Sequence, residues 1–234
     1  MILLVLAWFA LSPLSRAVNP PPIGGYPNEN TATGDAALFL LTTGIGNTAV
    51  SNTALWRVDI GNDNTAVGWS ALHYTIGDYN TGIGMYCMFN NAAGTNNTAA
   101  GYLSLANNNT GSDNTAVGAQ ALGSNVTGNA NTAIGEYALY SNLAGANTAV
   151  GFDALFANTT GHDSTAVGYT ALLENTTGFY NTAIGDGAGG NATTGDGNVY
   201  IGSDVEGVAG ESNHTLSAIS RRRPSAAAAP TWSR

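Results

Sequence analysis

Along most of this chain a Val or Ile returns at one fixed place in a five-residue phrase, two positions after a Thr and one before a Gly, as in Asn64-Thr65-Ala66-Val67-Gly68. The leading Asn, or the residue in its place, falls at Asn30, Asn47, Asn64, Asn80, Asn97, Asn114, Asn131, Asn147, Ser164, Asn181 and Asn198. Successive members are 17 residues apart, except for two steps of 16, from Asn64 to Asn80 and from Asn131 to Asn147. A constant internal period fixes the architecture before any residue-level chemistry is considered.

With the leading Asn as position 1, Thr65, Thr115 and their equivalents occupy position 2, and Val67, Val117, Ile134, Val150, Val167 and Ile184 occupy position 4. Positions 2 and 4 share one face of a strand, and positions 1, 3 and 5 share the other. β-Branched residues in this alternation predict a short strand. Gly68, Gly118, Gly135, Gly151 and Gly168 end it at a corner. If the larger Val is the inner residue, Thr65 is inside with it, and Ala66 is left on a small, smooth outer face. A second apolar pair follows at positions 8 and 9, giving a Leu column of Leu72, Leu105, Leu122, Leu139, Leu155 and Leu172. A turn such as Asn158-Thr159-Thr160-Gly161 then leads to the next phrase, using residues that tolerate left-handed backbone. The stretch from position 6 to 12, for example residues 169–174, would accept a helix, but between glycines it is about two turns and too short to persist. A second strand or a bend is the better expectation.

One repeat cannot bury its own Val and Leu, whereas stacked copies can. The predicted fold is therefore all-β: a parallel β-solenoid of about eleven coils of 17 residues, a rod on the order of 50 Å long at the usual strand spacing. Like residues fall into columns, and the Asn64, Asn114, Asn131 and Asn147 column can hydrogen-bond along the stack. Toward the C-terminus the Leu position becomes Gly189 and then Glu206, where a polar cap is expected.

The remaining segments speak a different language. Residues 2–12 are apolar and too short to span a bilayer, and Ser15-Arg16-Ala17 follows, so residues 1–17 read as a secretory signal peptide. Residues 18–29, with Pro20-Pro21-Pro22 and Gly24-Gly25, form an extended linker. The repeat domain runs from 30 to 214, and residues 215–234, rich in Arg, Ala and Pro, read as a disordered tail. A secreted or cell-surface location follows from the leader.

Composition narrows the function. Only 9% of residues are charged, and there is no Lys. The net charge of −9 hides a more acidic repeat region, where fourteen Asp and Glu face the single Arg57 between residues 30 and 214, a net of −13. A nucleic-acid partner needs a basic stripe and is disfavoured.

The phrase Asn131-Thr132-Ala133-Ile134-Gly135 and its copies resemble the head repeats of the YadA-like trimeric autotransporter adhesins, and resemble more closely a longer variant found in secreted bacterial proteins. The resemblance covers about residues 25–213. It implies a left-handed parallel β-roll, three chains side by side, and an adhesive role outside the cell toward a host or matrix ligand. The period of 17 is longer than that of the adhesin heads, so each coil carries extra loop residues.

No catalytic constellation stands out. His73, His162 and His214 occupy unrelated repeat positions. Cys87 sits where other copies carry Ala, and reads as a small buried side chain. Asp63, Asp113 and Asp163 recur only about every third repeat, roughly 15 Å apart, whereas calcium takes six to eight oxygens in one place. The expectation is a non-enzymatic structural or adhesive fibre module without cofactor or metal. The alternatives are a ligand- or glycan-binding surface module and an ice-binding solenoid, the last disfavoured if Thr lies inside with Val. Trp69, Tyr86, Tyr102, Tyr137, Phe152, Tyr169 and Tyr180 are candidates for outward contacts.

Overall fold

Each Thr-Ala-Val phrase is a three-residue strand, and the strands lie on one another in register. The computed structural model describes residues 28–58 and 60–218. The predicted signal peptide, most of the linker and residues 219–234 of the tail lie outside these. The strands are β1 (Thr31–Thr33), β2 (Thr48–Val50), β3 (Thr65–Val67), β4 (Tyr74–Thr75), β5 (Thr81–Ile83), β6 (Asn90–Asn91), β7 (Thr98–Ala100), β8 (Thr115–Val117), β9 (Thr132–Ile134), β10 (Thr148–Val150), β11 (Thr165–Val167), β12 (Thr182–Ile184), β13 (Val199–Ile201) and β14 (Thr215–Ser217). All but β4 and β6 form one 12-stranded sheet in chain order, and every pairing in it is parallel. Each pair of neighbouring rungs spans one circuit of the chain, which makes a parallel β-solenoid of eleven coils. Among the described residues there is no helix, and hence none long and apolar enough to cross a membrane.

Like stacks on like throughout. Thr65 pairs with Thr81 and Val67 with Ile83 across a 16-residue step, and Thr115 pairs with Thr132 and Val117 with Ile134 across a 17-residue one. The missing residue of the short coil is therefore taken from the turn and never from the strand. The tail begins later than the composition suggests: Thr215–Ser217 form β14 and pair with β13, because the Thr-Leu-Ser alternation still fits the pleat.

The faces of the strand are the reverse of the expectation. Ala66, Ala116, Ala133, Ala149 and Ala166 are fully buried, whereas Val67 is 37% and Ile134 41% exposed. Thr65 and Thr115 lie outside with Val, partly exposed. The cause is the width of the coil. The inner strand position faces the Leu column directly: a methyl built on Gly82 would lie 3.3 Å from Leu72 Cγ and 3.4 Å from the terminal methyl of Met88. One Leu per coil, Leu72, Leu105, Leu122, Leu139, Leu155 and Leu172, already fills the interior as expected. A Val in the strand would overfill it, so the smaller residue turns inward. The chain's own exception obeys the same volume rule. Where Gly189 replaces Leu, Tyr200 replaces the inner Ala, and its ring occupies the vacated space.

Neither a helix nor a second regular strand occupies positions 6–12 in most coils. The chain turns sharply instead, with left-handed backbone at positions 7 and 9, as at Gln120 (φ 56) and Leu122 (φ 51). Left-handed backbone costs a non-glycine residue about 1–2 kcal/mol, and full burial of a Leu side chain returns about 1.5–3 kcal/mol. The Leu122 amide also donates to the Ala138 carbonyl of the next coil at 3.0 Å. The corner Gly118 is fixed for two reasons: its φ is +132, and a Cβ there would lie 2.5 Å from the Gly135 carbonyl oxygen.

Ala116→Val is expected to destabilise the fold by about 1–3 kcal/mol through overpacking, whereas Val117→Ala on the outer face should fall within about 0.5 kcal/mol of the parent. Urea unfolding of the two variants checks which face is the core.

Candidate functional site

The outward columns of the sheet make one uninterrupted stripe. Positions 2 and 4 of its twelve rungs present Thr, replaced once by Val199, on one side and mostly Val or Ile on the other, with no charged residue among them. Thr65, Thr115, Val67, Val117, Ile134, Val150, Val167 and Ile184 all belong to it. The apolar column runs from Val50 to Ile201 with a shallow dip at Ala100, and Thr33 and Ser217 stand at its two ends.

Two inner Asn columns hold this stripe rigid. In the column of leading residues, the Asn131 amide N–H donates to Asn114 Oδ1 at 3.0 Å, and its Nδ2 donates to the same oxygen at 3.1 Å. The Asn114 Nδ2 donates onward to the Gly128 carbonyl at 2.8 Å. Asn64 and Asn147 take part in the same way, each accepting from the next coil. Ser164 keeps the chain of bonds intact, since its Oγ accepts from the Asn181 amide at 3.1 Å.

Sequence reasoning missed the second column, formed by Asn91, Asn108, Asn125, Asn142, Asn158 and Asn175 at position 12. These are buried, and each Nδ2 from Asn108 onward reaches the Oδ1 of the previous one. In the five coils where positions 1 and 12 are both Asn, the two columns meet on one carbonyl. Gly111 O accepts from Asn97 at 2.9 Å and Asn108 at 2.7 Å, and Gly161 O accepts from Asn147 and Asn158, both at 2.8 Å. Among the described residues, every buried side-chain nitrogen and oxygen has a partner. The signal was present in the sequence as a second Asn series of the same period, hidden because each member also looked like an ordinary turn residue.

The bulky variable residues fall into neighbouring columns. Trp69, Tyr102, Phe152 and Tyr169 share position 6 and are exposed, while Tyr86 and Tyr137 share position 7 and are half-buried. Tyr180 stands apart, next to the leading Asn, and is exposed. A further aromatic series at position 10 was not anticipated: Phe39, Trp56, His73 and Phe89 stack ring on ring, with centroids 6.3, 4.9 and 4.9 Å apart.

The titratable groups stay scattered. His73 donates Nδ1–H to the Thr53 carbonyl at 3.2 Å, and burial in the aromatic stack holds its pKa below the ordinary value. His162 contacts Asp163 at 2.8 Å, both largely exposed, and His214 lies 3.8 Å from Glu211. Cys87 is buried, donates to the Ala99 carbonyl at 3.3 Å, and its thiol is pushed up to about 12 by burial, which makes it a poor nucleophile. Ser104, in the equivalent place, donates to Ala116 O in the same manner. Asp63, Asp113 and Asp163 occupy the exposed left-handed residue before the strand, and no group of three or more metal-binding side chains gathers among the described residues. At the C-terminal end, Tyr200 donates its hydroxyl to Glu211 at 3.2 Å, and burial together with the Glu211 charge raises its pKa.

Comparison of the chain with family models, with curated proteins and with solved structures finds no match in any of the three.

Two predictions follow from these contacts. Asn114→Ala removes bonds to two neighbouring coils, leaves the Gly128 carbonyl with Asn125 alone and takes the acceptor from the buried Asn131 amide N–H, so a loss of about 2–3 kcal/mol is expected in urea unfolding. For His73, the fold favours the neutral ring, so the unfolded chain binds the extra proton first. Its contribution is complete above the unfolded pKa near 6.5 and is lost as pH falls from there toward the lowered folded value. Thermal melts between pH 8 and 5 should show this loss in the parent, and a smaller loss in His73→Phe, which keeps the stack.

Proposed function

We propose that the chain is a non-enzymatic structural and adhesive module of an extracellular fibre, in which copies pack side by side through the Thr/Val stripe. The observation that carries the reading is the stripe itself. An apolar column this long on a rigid, uncharged sheet is the kind of surface that marks an interaction site. Parallel copies related by a rotation axis close into a ring of rods, three in number by the resemblance to the YadA-like heads. The small Ala66 face is interior and unavailable, so the contact falls to Val67, Val117 and Ile134. The apolar leader of residues 2–12 supports a secreted or cell-surface location. The strongly acidic repeat region speaks against a nucleic-acid partner.

A second reading rests on the same surface. Thr hydroxyls and Val methyls, repeated at about the 4.8 Å strand spacing on a flat face, would also present a lattice to ordered water, as an ice-binding solenoid does. The objection that Thr is buried with Val no longer holds, because both are outside.

Light scattering on the purified chain is expected to give three chain masses. Val117→Asp combined with Ile134→Asp places carboxylates in the contact and should weaken association by more than about tenfold, leaving monomer. A monomeric parent would overturn the fibre packing. Thermal hysteresis in the parent, absent from the double variant, would favour the ice-binding reading instead.

A further inference from the structure

Away from the stripe, the largest departure from the regular coil lies between residues 56 and 93. Position 12, an Asn in the six coils from Asn91 to Asn175, is Val58 and then Thr75 here, and the two-residue strands β4 and β6 pair outside the main sheet. Tyr74 stands beside the aromatic stack, perpendicular to three of its rings: Trp56 (6.0 Å, 89°), His73 (4.5 Å, 83°) and Phe89 (5.6 Å, 86°). Trp56 and Phe89 already cover both faces of His73, so Tyr74 has to lie at the edge of the stack. Two rings meeting edge to edge would keep their centroids roughly 7 Å apart. The 4.5 Å separation therefore sets the face of Tyr74 against the edge of His73. Tyr74 is 37% exposed.

It lines a pocket of about 350 Å³ together with Arg57, Thr75, Ile76 and Ala92. Arg57 is the one cation between residues 30 and 214. Its backbone is pinned next to Tyr74 by the N–H to His73 O bond at 3.0 Å and by the Thr75 N–H to Arg57 O bond at 3.2 Å. Tyr74, Arg57 and an apolar lip formed by Ile76 and Ala92 are thus brought together at coil positions 11–13, far along the coil from the stripe.

We propose that this pocket binds a single carboxylated sugar ring of the uronic acid class. The C–H face of a pyranose lies against Tyr74, whose π-cloud is negative where the ring hydrogens are slightly positive. The sugar carboxylate takes the Arg57 fork, which has five N–H donors and so serves it alongside the contacts it already makes. Charge selects the size of the ligand. The repeat region carries a net −13, so a polyanion is repelled along the rod, whereas one carboxylate is compensated locally by Arg57. The inference supplies a ligand class for the adhesive part of the proposed function and rests on that reading only for exposure to the outside.

The test is titration of the full chain with methyl glucuronide, methyl glucoside and benzoate, followed by saturation-transfer NMR and calorimetry. Methyl glucuronide is expected to bind at least tenfold more tightly than the glucoside and benzoate. Arg57→Gln should erase the preference for the acid, Tyr74→Phe should retain binding, and Tyr74→Ala should lose it. Melting curves identify any variant that fails to fold, and if Tyr74→Ala is one of these, Arg57→Gln and Tyr74→Phe decide. Absence of transfer to the glucuronide, equal affinity for acid and neutral sugars, a preference for benzoate, or unchanged affinity in Arg57→Gln would each overturn the assignment. Repeating the titration on the Val117→Asp, Ile134→Asp variant separates the two proposals, since sugar binding is expected to survive loss of the oligomer.

Discussion

In five successive coils one carbonyl, that of Gly94, Gly111, Gly128, Ala144 or Gly161, faces the interior between two columns of asparagine, and the stack depends on closing it. A buried carbonyl without a donor costs about 1–3 kcal/mol, and a stack of coils would multiply that cost. Two side-chain amides converge on each one, from Asn97 and Asn108 on Gly111 and from Asn80 and Asn91 on Gly94. Each amide oxygen in turn takes N–H groups from the next coil, so closing the carbonyl also fixes the rise from coil to coil. Backbone bonds between coils, such as Leu122 N–H to the Ala138 carbonyl at 3.0 Å and Ser124 N–H to the Tyr140 carbonyl at 3.0 Å, act alongside them.

Most of the architecture could be read from the amino acids, because period and register are one-dimensional properties. The positions of the main-sheet strands from β1 to β13 follow from the spacing of the leading residues, and the Leu column follows from the Ala-Leu pair. The direction of the strand faces could not be read the same way. Alternation shows that Ala66 and Val67 point apart, but which one is inside depends on how much room Leu72 leaves, and that is set by coil width. The usual preference for burying the larger apolar residue fails in a core one Leu wide. The pocket beside Tyr74 was also illegible, since it arises from residues of successive coils that meet only once the stack exists.

The reversal changes what the molecule offers its surroundings. With Val inside, the outer face would be a smooth bed of Ala. With Ala inside, the outside carries alternating hydroxyl and branched methyl groups in rows fixed by the buried amides behind them. Side chains held this firmly lose little further freedom on contact, so an interface built on them retains more of its burial energy. The same economy applies to Tyr74, which is braced by three rings before any ligand arrives.

The two 16-residue coils carry a further implication. Since the shortfall at residues 64–79 and 131–146 is absorbed wholly in the turn, Thr65 still meets Thr81 and Thr132 still meets Thr148. Nearest-neighbour stacking of this kind makes whole circuits interchangeable. A gene encoding such a spar can lengthen or shorten by unequal recombination at any repeat, and the product remains in phase, so its reach can be adjusted without redesigning a single joint.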